Sequence, residues 1–297
     1  AGLRPALAGR TPVLPDLARP GCPPMREAVT IYWFSGTGNS LAVARRIAQR
    51  LEGARLVPIA SIEALQRPDG VVGVVCPVYF EGLPLAVREF LERLDARGAT
   101  YAFFVVTAGA FAGWAPAQAR RLFRRTGRRL DAAFSLRMPD NYISVLDLPP
   151  PAEQAEVLGR AEPETREIAA AVAERAEHRG IGPAATLGLL AFLTMGRSFA
   201  RTCRRRDERF VVTDACTGCG LCASVCPKGN IALAEGRPKW SHRCEQCFAC
   251  VHFCPAAAIQ IRHRPTARRR RYHHPDVTAA DIGSQAPKPT RAVHPAS

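Results

Sequence analysis

Residues 29–40 read VTIYWFSGTGNS, a β-branched and aromatic run that gives way to small polar residues. The run 29–34 has the composition of a buried strand, and Ser35 to Gly38 supply the turn that ends it. Beyond the turn, Leu41, Ala44, Ile47, Ala48 and Leu51 share one face of a helix over 39–52. The pattern recurs downstream. Strands are expected at 55–60, 71–76 (VVGVVC), 101–107 (YAFFVVT) and near 132–137, with helices at 84–95 and 115–126. Five strands separated by helices imply a parallel sheet covered on both faces, a doubly wound α/β domain over residues 28–148.

The loop Ser35, Gly36, Thr37, Gly38, Asn39, Ser40 opens the first helix. Backbone N–H groups at a helix N-terminus lack partners, and glycines let an anion approach them closely. The loop is neither GxxxxGK[ST] nor GxGxxG, and no lysine closes it, which argues against a nucleoside triphosphate or an ordinary dinucleotide. A phosphomonoester is the expected ligand.

Residues 149–206 read as a helical linker region in which Glu164 to His178 form a surface helix. Gly180 to Gly196 carries no charge and includes LGLLAFL, yet it falls short of the roughly 20 apolar residues of a membrane span. It is expected to pack against the first domain.

Eight of the 11 cysteines lie within residues 216–254. Cys216, Cys219, Cys222, Cys226 and Pro227 recur 28 positions later as Cys244, Cys247, Cys250, Cys254 and Pro255. Three thiolates spaced by two residues wrap one face of a cuboidal iron–sulfur cluster, and the fourth, past a turn, points elsewhere. Structural zinc takes pairs of C-x-x-C across a longer spacer, leaving the third cysteine and the proline unexplained. Two [4Fe-4S] clusters are therefore expected in an α+β domain over 207–264, walled by short strands at 210–212, 231–233 and 258–261. Thiols this dense suit a reducing cytoplasm, and residues 1–24 show no export pattern.

The net charge is +15, with only three lysines among 41 basic residues. Residues 207–261 sum to zero, so two loaded clusters would leave that segment near −4. Lys228, Lys239, Arg243, Arg201 and residues 204–206 are candidates to ease their reduction electrostatically. Residues 1–27 and the basic tail 265–297 have no core pattern and are expected to be disordered, with Met25 an alternative start. Nucleic-acid binding is not expected.

The cysteine repeat closely resembles that of two-cluster bacterial ferredoxins, in which the fourth cysteine ligates the other cluster. That resemblance implies one cluster on Cys216, Cys219, Cys222 and Cys254, and a second on Cys244, Cys247, Cys250 and Cys226. Residues 35–40 resemble the phosphate loop of flavodoxins, which implies FMN. The same resemblance brings Pro77, Val78, Tyr79 and Phe80 (within CPVYFEGLP, 76–84) and Thr107, Ala108 and Gly109 (within TAGAFAG, 107–113) to the flavin, Tyr79 or Phe80 covering its ring. With MPDNY at 138–142, the chain over 29–262 resembles the EFR1 family of ferredoxin–flavodoxin fusion proteins. The implied function is electron transfer between the clusters and FMN, with redox proteins as donor and acceptor. One departure is that flavodoxins are typically acidic around the flavin, whereas this domain carries RRLFRRTGRR at 120–129.

Two further readings stay open. In one, the clusters feed an FMN that reduces a small substrate beside Tyr79 and Asn141; in the other, the clusters are structural and the arginine tail binds nucleic acid. Asp140 and Asn141 either reach the flavin edge or cap a turn. Cys22, Cys76 and Cys203 read as packing or surface thiols, and His242 and His252 as packed or solvated; no acid–base catalyst stands out.

Overall fold

A computed structural model describes residues 27–178, 185–264 and 266–286. The expected disorder of 1–26, with Cys22 and Met25, and that of 287–297 lie outside the described residues.

The first domain alternates β1 (Val29–Trp33), α1 (Asn39–Arg50), β2 (Arg55–Pro58), β3 (Gly70–Pro77), α2 (Leu85–Leu91), β4 (Ala99–Ala108), α3 (Ala115–Phe123) and β5 (Ala132–Arg137). All pairings are parallel, in the order β2-β1-β3-β4-β5. This is the flavodoxin-like doubly wound order, whose switch point between β1 and β3 opens a crevice at the carboxyl ends of the strands. Alternate residues of each strand face opposite cores. Trp33, Phe103 and Val105 pack under α1, while Tyr32, Phe34 and Phe104 pack under α2 and α3. Burying each such side chain contributes about 1.5–3 kcal/mol, which is why the strand runs carry almost no polar residue.

α4 (Pro151–Ala173) begins thirteen residues before the expected start at Glu164 and carries Pro163 in its interior. A proline ring clashes with the carbonyl four residues earlier, which here belongs to Gly159. α4 lies beside α1, closing one face of the sheet through Ile168, Ala169 and Val172.

α5 (Ala185–Ala191) runs through a π turn at Phe192–Gly196 into α6 (Arg197–Thr202). As expected, the uncharged stretch packs on the first domain where it is described. A Cβ at Gly188 would meet the Gly113 backbone at 2.7 Å, the Phe192 ring lies against Gly82, and Phe199 stacks on Phe80 with centroids 4.0 Å apart. Leu190, Leu193 and Met195 stay exposed. Among the described residues no helix is long and apolar enough to cross a membrane.

The second domain pairs β6 (Phe210–Val212) with β9 (Ile259–Ile261), and β7 (Ile231–Ala234) with β8 (Arg237–Trp240), both antiparallel. β8 was not foreseen; Glu235 and Gly236, both with positive φ, make the two-residue turn that admits it. Short helices α7 (Leu221–Ser224) and α8 (Ala249–His252) follow equivalent cysteine loops. The 28-residue repeat extends to the backbone: Gly218 and Gly220 have φ of +70° and +76°, and their counterparts Gln246 and Phe248 have +52° and +57°. The left-handed region costs a side-chain-bearing residue about 1–2 kcal/mol and a glycine nothing comparable.

The tail reverses one expectation. Residues 266–286 form an ordered strap in which Tyr272, His274, Val277, Ile282 and Gln285 are buried, ending in α9 (Ala279–Gly283) with a Thr278–Asp281 capping box. Val277 and Ile282 join the core beneath α1. The two acids of this segment, Asp276 and Asp281, pair with Arg46 and Arg45 of α1. The expected N-terminal disorder also stops one residue early, since Glu27 binds Arg175 and Thr100.

Candidate flavin pocket and cluster cavities

A cavity of about 370 Å³ opens at the carboxyl ends of β1, β3 and β4. Ser35, Gly36, Thr37, Asn39 and Ser40 form its floor; Pro77, Val78, Tyr79 and Phe80 form one wall, and Thr107, Ala108 and Gly109 another. Gly38, the fourth of the six loop residues, faces away: a Cβ there would meet Val277 and His274 of the strap. The loop is fixed from every side. Ser40 Oγ shares a 2.8 Å hydrogen bond with Thr107 Oγ1, Gly38 N donates to Ser35 Oγ at 3.1 Å, and Asn141 Nδ2 donates to Thr37 Oγ1 at 2.5 Å. Asn39 Nδ2 donates to the Pro139 carbonyl at 3.0 Å, which ties the MPDNY segment to the loop. The first N–H groups of α1 have no intrahelical acceptor, so the floor presents donors to the cavity.

Sequence reading missed the strap's part in this arrangement. Gln285 accepts Ser35 N at 3.0 Å and donates to Ser35 O at 2.8 Å, His274 N donates to Thr37 O at 2.8 Å, and Tyr272 Oη donates to Asn39 Oδ1 at 2.6 Å. Of the undecided pair, Asn141 binds the loop while Asp140 accepts from Tyr142 N at 2.7 Å; both also line the cavity.

Tyr79 and Gly82 close a two-residue turn with Phe80 and Glu81 in the left-handed region. Phe80 is held there by Phe199, by Tyr142 at 5.3 Å and by the Arg206 guanidinium 5.2 Å from its ring centroid. Tyr79 Oη is buried with no hydrogen-bond partner, and burial holds its phenol well above the usual value. An unpartnered polar atom beside a donor-lined floor, in a cavity sized for a small cofactor, fits FMN.

The cysteines sort into two further cavities. Cys216, Cys219, Cys222 and Cys254 line one with Leu233, Pro238 and Ile259; Cys226, Cys244, Cys247 and Cys250 line the other with Phe210, Trp240 and Phe248. Each set takes three cysteines from one copy and the fourth from the other. Backbone N–H groups point at sulfur in both: Ala258 to Cys254 at 3.2 Å, Asn230 to Cys226 at 3.3 Å, and Gln246 to Cys244 at 3.2 Å. Burial pushes the thiols of Cys222 and Cys247 up, to about 11 and about 12, so cationic iron is the partner that would keep these two as thiolates. Among the described residues no three His, Cys, Asp or Glu side chains are placed to hold a single ion. Each set surrounds a space instead, a donor arrangement that suits a cube of iron and sulfide.

The remaining groups have structural partners. Cys76 is buried under α2 and α3, and Cys203 donates to the Cys244 carbonyl at 3.3 Å. His242 Nδ1 lies 2.8 Å from Asp207. His252 Nδ1 accepts Tyr272 N at 3.2 Å and Nε2 donates to Asn141 O at 2.9 Å, and burial lowers its pKa to about 4, so the ring is a neutral strut. Lys228 is paired with Glu89. Arg271, which sequence reading did not nominate, lies partly buried beside Cys254 and Cys250, with Nε and Nη1 lacking any partner.

The pocket and the second cysteine cavity share a wall. Gln246 and Phe248, on either side of Cys247, line the flavin-sized pocket, and a Cβ on Gly36 would sit 2.6 Å from the Cys247 carbonyl. Only glycine allows that approach.

A family model for a 4Fe-4S dicluster domain matches residues 209–255. The ferredoxin-like protein in the nif region of Trichormus variabilis is 40% identical over 48 residues, 16% of this chain and 41% of that protein. A component of the ion-translocating oxidoreductase complex of Methanosarcina acetivorans is 36% identical over 58 residues, 19% of this chain and 22% of that protein. The chain thus spans less than half the length of these curated relatives. Among solved structures, a putative flavoprotein from Bacteroides uniformis is 16% identical, with 37% of this chain and 90% of that one covered at a TM-score of 0.31. A short-chain flavodoxin associated with a bacterial microcompartment is 17% identical, with 48% and 99% covered at 0.30. An FMN-dependent NADH-azoreductase from Bacillus anthracis is 12% identical, with 49% and 99% covered at 0.35. At these scores the likeness brings no cofactor or activity across. By its own sheet order and the matched domain, the chain joins a flavodoxin-like α/β domain to a 4Fe-4S dicluster domain of ferredoxin type.

Proposed function

We propose that the chain is an electron-transfer unit in which two [4Fe-4S] clusters and one FMN lie in series. Cys216, Cys219, Cys222 and Cys254 would hold one cluster, and Cys244, Cys247, Cys250 and Cys226 the other. Ser35 to Ser40 would hold the FMN phosphate, with the 77–80 and 107–109 segments against the ring system. Bound clusters supply single electrons, and bound flavin exchanges one or two, so the series suits traffic between one-electron and two-electron partners. N–H donors to sulfur and the buried walls would set the cluster potentials.

The observation that carries this reading is the shared wall: Phe248 lines both the flavin-sized pocket and the second cysteine cavity, and Gly36 lies against the Cys247 carbonyl. The first cavity contains Cys219, the one exposed cysteine of the eight, and is the point at which an external redox protein would exchange electrons.

The ligand sets are tested by Cys226→Ser in anaerobically purified full-length chain, with iron and sulfide counted and the cluster spectra recorded. Loss is expected chiefly from the cluster on Cys244, Cys247 and Cys250. Damage confined to the cluster on Cys216, Cys219 and Cys222 would overturn the crossed sets.

A further inference from the structure

The two copies of the cysteine repeat place left-handed backbone at the same two positions, but only the first copy uses glycine there. Residues retained in sparsely populated backbone conformations concentrate at sites where the side chain is needed. For Phe248 the need is packing: it is 3% exposed, with ring centroids 5.6 Å from Tyr142 and 6.2 Å from Phe210. Gln246 has no such account. It is 7% exposed, belongs to none of the apolar clusters, and its side chain takes one hydrogen bond, accepting Arg206 Nη1 at 3.4 Å. That contact occupies the carboxamide oxygen and leaves the NH₂ group as a donor. Gln246 also lines the flavin-sized pocket, from the side of the cluster domain.

We propose that Gln246 is a flavin-binding residue contributed by the cluster domain, its carboxamide donating to the ring system of the bound flavin. The inference rests on the FMN reading and extends it. The loop bearing Cys244 and Cys247 would then contact both cofactors, so that the flavin site is complete only when the two domains are on one chain. A side chain in this place also sets the polarity around the ring, and hence the flavin potential.

The test compares full-length wild type with Gln246→Gly, which restores the residue type of the first copy, and with Gln246→Met, which keeps length and backbone strain but removes the donor. FMN affinity, the FMN midpoint potential and the guanidinium unfolding midpoint are measured anaerobically. Both variants are expected to raise the FMN Kd about tenfold and to shift the potential; Gln246→Gly should also hold or raise the unfolding midpoint. Unchanged affinity and potential would overturn the proposal. So would a loss of affinity accompanied by a matching fall in the unfolding midpoint, which marks a purely structural residue. Wild-type protein that binds no FMN would instead remove the flavin reading itself, and this inference with it.

Discussion

At the scale of single residues, the local decisions are steric and electrostatic. Gly36 touches Cys247 because it has no side chain, and Tyr79 keeps an unpartnered hydroxyl beside the same contact. Arg271 is the electrostatic counterpart. Its Nη2 donates to the carbonyls of Ala257 and Ile259, at 3.5 and 3.3 Å, while Nε and Nη1 stay buried without acceptors next to Cys250 and Cys254, one from each ligand set. A cation there favours the reduced, more negative cluster. Arg271→Leu should therefore lower the midpoint potentials of both clusters by on the order of 60 mV, one decade for a one-electron couple, and Arg271→Lys by less. EPR-monitored titration measures this, and superimposable curves would count against the role. The grouping of the eight cysteines into two cavities was legible because their spacing repeats at a fixed interval. Arg271 was not, because it sits in a run of four arginines that no local pattern ranks.

At the scale of elements, the strands and the 35–40 loop could be read from the sequence because each depends on near neighbours: β-branched runs, a turn, one helical face. The strap could not. Its order comes from contacts with residues more than 200 positions away, Ser35, Asn39 and α1, and those contacts are mostly hydrogen bonds and ion pairs made by residues typical of disordered tails. The early start of α4 was hidden because Pro163, in its interior, reads in sequence as a helix breaker. If the strap sets the shape of the phosphate loop, Gln285→Leu should weaken FMN about tenfold, the equivalent of one or two hydrogen bonds, and leave riboflavin, which lacks the phosphate, nearly unaffected. Flavin titrations on the full-length variant decide this; an equal loss for both flavins would mean general destabilisation.

At the scale of the whole molecule, the two domains were legible singly and their juxtaposition was not. The hydrophobic pattern points to a five-stranded parallel sheet and the cysteine repeat to the second domain, but neither states that the second repeat's loop forms a wall of the first domain's crevice. That placement is the work of α6, the MPDNY segment and the strap, whose contacts converge on Phe80, Thr37 and Asn39. The strap's two acids pair with Arg45 and Arg46 of α1. The central claim is that electrons pass between the clusters and the flavin within one chain. Its most direct test is an anaerobic reductive titration of the full-length protein, with iron, sulfide and FMN first counted per chain. The account predicts two [4Fe-4S] clusters, one FMN and an uptake of about four electrons, one per cluster and two for the flavin, drawn from a single reductant. Protein that carries zinc and no flavin, or whose FMN stays oxidised while its clusters are reduced at a potential that should reduce both, would contradict it.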